Sequence, residues 1–194
     1  MKILKTIGVI LLILIIIGAV LSFIAPTKME SERSITINAP KEIVWEHICS
    51  LQKQNEWGPW KEQDPNMKVE YSGPDCAVGG HSKWTSDVKE VGSGEQEIVA
   101  VEPMKSMETK LHFLEPWESD ATGWTKMEDD PAGGVKVSWG FNSRMTRPMN
   151  AMMLFMNVDK GMNEMFDKGL SNLKTMAEKA TAIAQAEKMK MMEM

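Results

Sequence analysis

The chain is poor in the side chains that nucleophilic and metal-dependent sites are built from. Its 194 residues include three histidines and two cysteines. His47, His81 and His112 are scattered, and none converges on a serine or cysteine nucleophile, so a catalytic triad has no support. Cys49 and Cys76 form no CxxC or Cys/His spacing, which leaves zinc unsupported; no metal and no cofactor is expected. The two thiols could pair in an oxidising compartment. They could equally stand apart, and spacing leaves both open. Excess positive charge is missing as well: 22 Lys and Arg oppose 27 Asp and Glu, for a net charge of -5. Without a basic stripe, nucleic acid is not an expected partner. No internal repeat appears.

Charge is wholly absent from Thr6 to Ala25, "TIGVILLILIIIGAVLSFIA". About 20 apolar residues in a helix cross the hydrocarbon layer of a bilayer. A cleaved signal peptide has a shorter apolar core and small residues before its cleavage site. Here Phe23 takes the minus-three place relative to Ala25, and Pro26 follows. The expectation is an uncleaved single-pass anchor over 1-27. Lys2 and Lys5 precede the span, and Lys28 and Arg33 follow it, so the flanking bias is nearly balanced. The short leading tail favours an inside amino terminus, with the rest of the chain on the outer side, periplasmic or extracellular.

Beyond the anchor, residues 28-180 are enough for one domain with a full core. "ERSITINAP", Glu32 to Pro40, alternates as a half-buried strand and ends where a helix opens. Ile43, Val44, Ile48 and Leu51 then recur at helical spacing, as two short helices. In "SMETKLHFL", Met107, Thr109, Leu111 and Phe113 face one way, while Ser106, Glu108, Lys110 and His112 face the other. Tyr71 shares a face with Met67 and Val69; Trp139 and Phe141 share one with Val135 and Val137. Such period-two alternation, with one wet face and one dry, marks an antiparallel sheet. About six strands are expected here, plus the early one, separated by turns rich in Gly, Pro and Asp. "PMNAMMLFMNVDKGMNEMFDKGLSNLKTMAE", Pro148 to Glu178, reads as one amphipathic helix. Residues 181-194 form a Met-rich tail that is helical in composition and expected to be flexible. Its clustered thioethers could hold Cu(I); in a charged, disordered tail they are more often inert. The element order gives an α+β fold.

Four stretches, in this order, carry a resemblance: "INAPKEIVWEHICSLQKQNEWGPW", "DPNMKVEYSGPDCAVGGHSKW", "HFLEPWESDATGWT" and "DKGMNEMFDKGLSNLKTMAE". Together they resemble the helix-grip superfamily of polyketide cyclases, START lipid-transfer domains and birch-pollen-allergen-like proteins (the SRPBCC group), in its membrane-anchored bacterial form. The resemblance implies a curved antiparallel sheet gripping the long C-terminal helix, with an apolar cavity between them. It implies binding of hydrophobic small molecules in most members and cyclisation or dehydration in some. It carries over no catalytic residue, because the superfamily has no universal catalytic motif.

On the long helix Met152, Met156, Phe166, Leu170, Leu173 and Ala177 form one stripe. Methionine is flexible and polarisable, and suits walls that re-pack around varied ligands; it fills core gaps equally well. Asp159 and Asn163 lie on the same side, where a buried carboxylate without partners is costly. Asp159 is therefore either a wet-pocket group, for ligand contact or base chemistry, or a residue overhanging solvent. Opposite the helix, the candidate cavity lining is Tyr71, Trp84, Leu111, Phe113, Trp139 and Phe141, with Ser82, Ser86 and Thr109 on the same faces. Trp57 and Trp60 in "WGPW" are candidates for the cavity mouth or for plugging the core edge.

The leading functional expectation is binding, and conceivably transport, of a hydrophobic or amphipathic small molecule or lipid beside a membrane. A cyclase or dehydratase using the same cavity is the first alternative, with Asp159 and Tyr71 as its acid/base groups. An interaction domain with a fully packed core is the second.

Overall fold

A computed structural model of the protein describes residues 2-155 and 158-193, with backbone alone at Lys2, Leu4, Val158 and Asp159. Helix α1, Lys2–Ile24, precedes strand β1, Lys28–Ile37. Three short helices follow: α2 (Lys41–Cys49), α3 (Leu51–Trp57) and α4 (Trp60–Gln63). The remaining strands are β2 (Lys68–Ser72), β3 (His81–Thr85), β4 (Ser93–Glu102), β5 (Ser106–Glu115), β6 (Ser119–Asp129) and β7 (Val135–Arg144). A 3-10 helix, Met149–Leu154, leads to α5, Val158–Met192. All seven strands form one antiparallel sheet in the order β1-β7-β6-β5-β4-β3-β2. The α+β class and the helix-grip arrangement thus hold.

One sequence expectation needs correction, and one question the sequence left open is decided. Pro148 to Glu178 is not one helix: a 3-10 turn and α5 replace it, and α5 starts ten residues later than expected. The reason is Asn150, whose buried amide bonds the end of α1 rather than facing solvent on a continuous helix. The two cysteines pair: Cys49 and Cys76 form a disulfide, with Cα atoms 4.6 Å apart. A third short helix, α4, follows the two expected, because Gly58-Pro59 ends α3 and the helix restarts at Trp60.

Helix α5 lies along β1, held at four levels. Ser31 Oγ donates to Asn163 Oδ1 at 2.9 Å, which accounts for an amide on the helix's inner side. Arg33 clamps Asp167 with two bonds of 2.7 and 2.9 Å. Lys174 Nζ donates to the Thr36 carbonyl at 2.9 Å, and the Asn38 amide donates to Glu178 at 3.0 Å. Phe166, Leu170, Leu173 and Ala177 are all buried, as their spacing required. A helix of 35 residues is about 52 Å long, against about 33 Å for a ten-residue strand. The helix therefore outruns the sheet, and after Thr181 its side chains are exposed through Met192. The tail 181-194 is thus helical through Met192.

The main core joins Ile37, Val44, Ile48, Trp57, Val137, Leu170 and Leu173 under α2 and α5. Separate clusters form at Leu51, Ile98 and Met107, and at Ala121, Phe141 and Phe166. One helix about 10 Å wide covers about two strands spaced near 4.8 Å. The sheet is wider than that, so it curls, and the space between the clusters is left incompletely filled.

Gly169 sets how closely α5 approaches the sheet. A Cβ there would stand 2.6 Å from the Trp139 ring and 3.2 Å from Pro59. Alanine for glycine normally stabilises a helix by about 1 kcal/mol. Here Gly169→Ala is expected to destabilise by roughly 1–3 kcal/mol through overpacking, read as a lower urea midpoint. A gain in stability would show that the contact yields freely.

Candidate functional site

The space between sheet and helix is a cavity of about 310 Å³. Strands β5, β6 and β7 supply its floor by alternation, and α5, α3 and the Trp57–Trp60 turn supply its roof. Of the residues expected to line it, Tyr71, Trp84, Leu111, Phe113, Trp139, Phe141 and Phe166 meet there. Trp139 is the hub: its ring centroid is 4.4 Å from Phe166, 4.9 Å from Trp57 and 6.0 Å from Trp60. Trp84 and Phe113 form an edge-on pair at 5.7 Å further along the wall. Ser82, Gln96 and Thr109 place polar groups among these rings.

The other expected residues divide differently. Met152 sits in the 3-10 helix and is not part of the wall. Met156 and the side chain of Asp159 lie outside the described residues. Trp57 is 1 % exposed, so it is a core residue forming inner wall, with its indole N–H donated to the His47 carbonyl at 2.9 Å. Trp60 is half-buried beside it. Ser86 points inward but donates at 2.6 Å to Asp64, a buried carboxylate that also accepts the Asn66 amide. That pair closes the α4–β2 corner.

The wall also holds Met29, Leu51, Met67, Val69, Met107, Met162 and Met165, which were not singled out as lining. Met67, Val69 and Met107 were legible, since they alternate with Tyr71 or with Leu111. Met162 and Met165 required knowing where α5 begins.

Burial raises the Tyr71 phenol above its ordinary value, with Asn55's hydrogen bond opposing and Glu56 adding to the rise. At neutral pH Tyr71 is therefore a protonated hydrogen-bond donor, not a base.

A second concavity, a trough of about 600 Å³, lies on the opposite face of the sheet. It is larger, yet its walls include His81, Glu95, Glu97, Lys110, His112 and Arg144, an ionic, open surface. Ligand sites that bury apolar molecules are concave and mostly apolar, so the inner cavity is the candidate. No metal-holding cluster occurs among the described residues.

Two histidine titrations are measurable, that of His112 in the outer trough and that of half-buried His47 on α2. The hydrogen bond that His112 Nδ1 makes to the Asp120 carboxylate, at 2.8 Å, raises the His112 pKa above 6.5. Burial, followed by Lys53, lowers that of His47, whose Nδ1 is buried without a partner. The signs differ. His112 contributes stability that is full below its unfolded value and is lost as pH rises through its folded one. His47 costs stability as pH falls below its unfolded value toward its lowered folded one. Ring-proton NMR should show His47 titrating below His112, and Asp120→Asn should bring His112 back toward 6.5; the reverse order would contradict both environments.

Comparisons with known proteins agree with this geometry. Residues 28–178 match the family model described as polyketide cyclase / dehydrase and lipid transport. Among solved structures, one domain of the di-domain ARO/CYC StfQ from the steffimycin biosynthetic pathway superposes with a TM-score of 0.60 at 10% identity. The match covers 80% of this chain and 52% of that one. A protein from Nitrosospira multiformis matches at TM-score 0.57 and 16% identity, over 77% of this chain and 96% of that one. One from Mesorhizobium loti matches at 0.56 and 16%, over 78% and 98%. At these identities the likeness concerns the fold. No curated protein matches the chain.

Proposed function

Since the chain belongs to the polyketide cyclase/dehydrase and lipid transport family, we propose that its sheet–helix cavity binds a hydrophobic or amphipathic small molecule at a membrane surface. The observation that carries this reading is a void of about 310 Å³ walled by aromatic rings and methionines in an otherwise packed domain. Leaving such a wall facing water is unfavourable, and a ligand's apolar surface gains roughly 25 cal/mol per Å² on entering it. Ser82, Gln96, Thr109 and the protonated Tyr71 orient a polar group on that ligand. The methionines let the wall adjust to its shape.

Helix α1 supports the membrane part of this reading. Its stretch Lys5–Ile24 has a mean hydropathy of 3.2, with length and composition sufficient to cross a membrane. The Cys49–Cys76 disulfide suits an oxidising compartment, which supports placing the domain on the outer side. A cyclase or dehydratase reading needs a base at the cavity, and Tyr71 does not supply one at neutral pH. A fully packed interaction domain does not suit a chain with this void.

Mass spectrometry of small molecules that co-purify with residues 28-192 tests the proposal, together with thermal shifts against a lipid panel. A reproducible lipid or polyketide-like species is expected. The Ser82→Phe variant, which puts a ring into the cavity from β3, should weaken binding of an apolar fluorescent probe at least about tenfold, or 1.4 kcal/mol, with its circular dichroism unchanged. Undiminished probe binding in that variant would place the ligand elsewhere.

A further inference from the structure

The sheet has two ends, and its register shows what gathers at one of them. Lys28 pairs with Arg144, Ala121 with Ser143, Phe113 with Ser119, and Thr85 with Ser93. The end of α1, the β5–β6 turn and the connection from β7 to α5 therefore share one edge of the domain. The cavity residues Met29, Phe141 and Met162 lie toward the same end, since Met29 pairs with Ser143 and Ser31, two residues on, bonds Asn163.

At this end α1 is locked to the domain rather than tethered to it. Asn150 is 0 % exposed; its Nδ2 donates to the carbonyls of Ser22 at 2.8 Å and Ala25 at 3.0 Å, and its Oδ1 accepts from Ser22 Oγ at 3.0 Å. Arg147 Nε donates to the Ser22 carbonyl at 3.1 Å, and its guanidinium lies 5.0 Å from the Phe23 ring centroid. The Met145 amide bonds the Thr27 carbonyl at 2.9 Å. Carbonyls at a helix's last turn have no partner within the helix; here the β7–α5 connection supplies donors to that of Ser22 and to that of Ala25, just beyond the helix. Helix and connection are one joint, so the direction of α1 fixes where the connection lies.

The later part of that connection exposes apolar side chains. Phe155 is 77 % exposed, with Met149 and Leu154 exposed beside it. Phe23 and Ile24 on α1 are exposed too, as are Leu114 and Trp117 at the β5–β6 turn. Lys28, Arg144 and Arg147 add positive charge at the same edge. Aromatic rings sit favourably at headgroup level, and basic side chains near it gain from anionic lipids.

We propose that Met149 to Phe155, after β7, and the β5–β6 turn lie in the headgroup/acyl boundary of the bilayer that α1 crosses, so that this end of the cavity opens toward acyl chains rather than water. The occupant of the apolar edge is the lipid bilayer, because the edge is continuous with the end of the helix that crosses it. This inference rests on α1 being membrane-spanning. It turns the cavity from one near a membrane into one filled through it.

The test uses the full chain, with its disulfide intact, in vesicles of phosphatidylcholine and phosphatidylglycerol. Single cysteines are introduced separately as Ile13→Cys, Trp117→Cys, Phe155→Cys and Ala132→Cys, and labelled with a polarity-sensitive fluorophore. Spin-labelled lipids then quench from shallow or deep positions. Ile13 should be quenched best from deep positions, Trp117 and Phe155 from shallow ones. Ala132, in the β6–β7 turn about 30 Å away along the strands, should be quenched from neither. Quenching at Ile13 without quenching at Phe155 would overturn the inference and leave the anchor standing. No quenching at Ile13 would remove the anchor itself. A blue shift at Phe155 with no lipid quenching would mean a protein covers the edge, and would also overturn the inference. Leu154→Glu with Phe155→Glu should slow transfer of an apolar probe from vesicles about tenfold, while leaving its affinity in detergent unchanged. Equal transfer rates would contradict a membrane-facing entrance.

Discussion

Phe166→Ala is expected to lower the unfolding free energy by about 3 kcal/mol, at the lower end of the range for removing a buried aromatic ring. The ring is 2 % exposed and packs 4.4 Å from Trp139 and 6.4 Å from Phe141, measured between centroids. It is the contact through which α5 presses on β7 at the cavity end. One side of the ring already faces the void, so fewer atoms lose a partner than in a solid core. That is why the lower end of the range applies. Urea unfolding followed by tryptophan fluorescence measures the change. The same variant enlarges the cavity, so a saturating apolar ligand should restore part of the loss by binding only the folded state. A cost under about 1 kcal/mol would mean that α5 is held by its ionic and hydrogen-bonded edge alone.

The Cys49→Ser, Cys76→Ser double variant is expected to lose roughly 3–4 kcal/mol, the chain-entropy value for a loop of this length. The bridge spans 27 residues and ties the end of α2 to the β2–β3 connection. Strand β2 is one edge of the sheet and pairs with β3 alone. Its inner side chains Val69 and Tyr71 are cavity wall. Without the bridge the edge has one neighbour and a free loop. Hydrogen exchange should therefore rise first at β2 amides, ahead of β6 and β7. Equal urea midpoints for the oxidised and double-variant proteins would show that helix packing holds this edge without the bridge.

The wall of the candidate site was legible strand by strand. Met107, Thr109, Leu111 and Phe113 could be assigned to the dry face because neighbours on a strand point to opposite sides, whatever the rest of the chain does. The same logic placed Trp139 with Phe141, and Phe166 with Leu170. Met152 was misplaced because helical spacing was extended through Pro148 to Leu154. What interrupts that spacing is Asn150, whose partners are carbonyls 125 and 128 residues earlier. No local pattern reports such a partner. Trp57 was ambiguous for a similar reason: one indole can cap a mouth or plug a core, and His47's carbonyl decided it.

From residue order alone came an apolar span long enough to cross a bilayer, about seven strands, several of them with clear alternation, and a helix with one dry stripe, each a local periodicity that backbone geometry enforces. Only the folded chain settled the cysteine pairing, the locked joint between α1 and Asn150, and the size of the void. Those three depend on distances between segments far apart in sequence, and such distances exist only once the sheet has curled around α5.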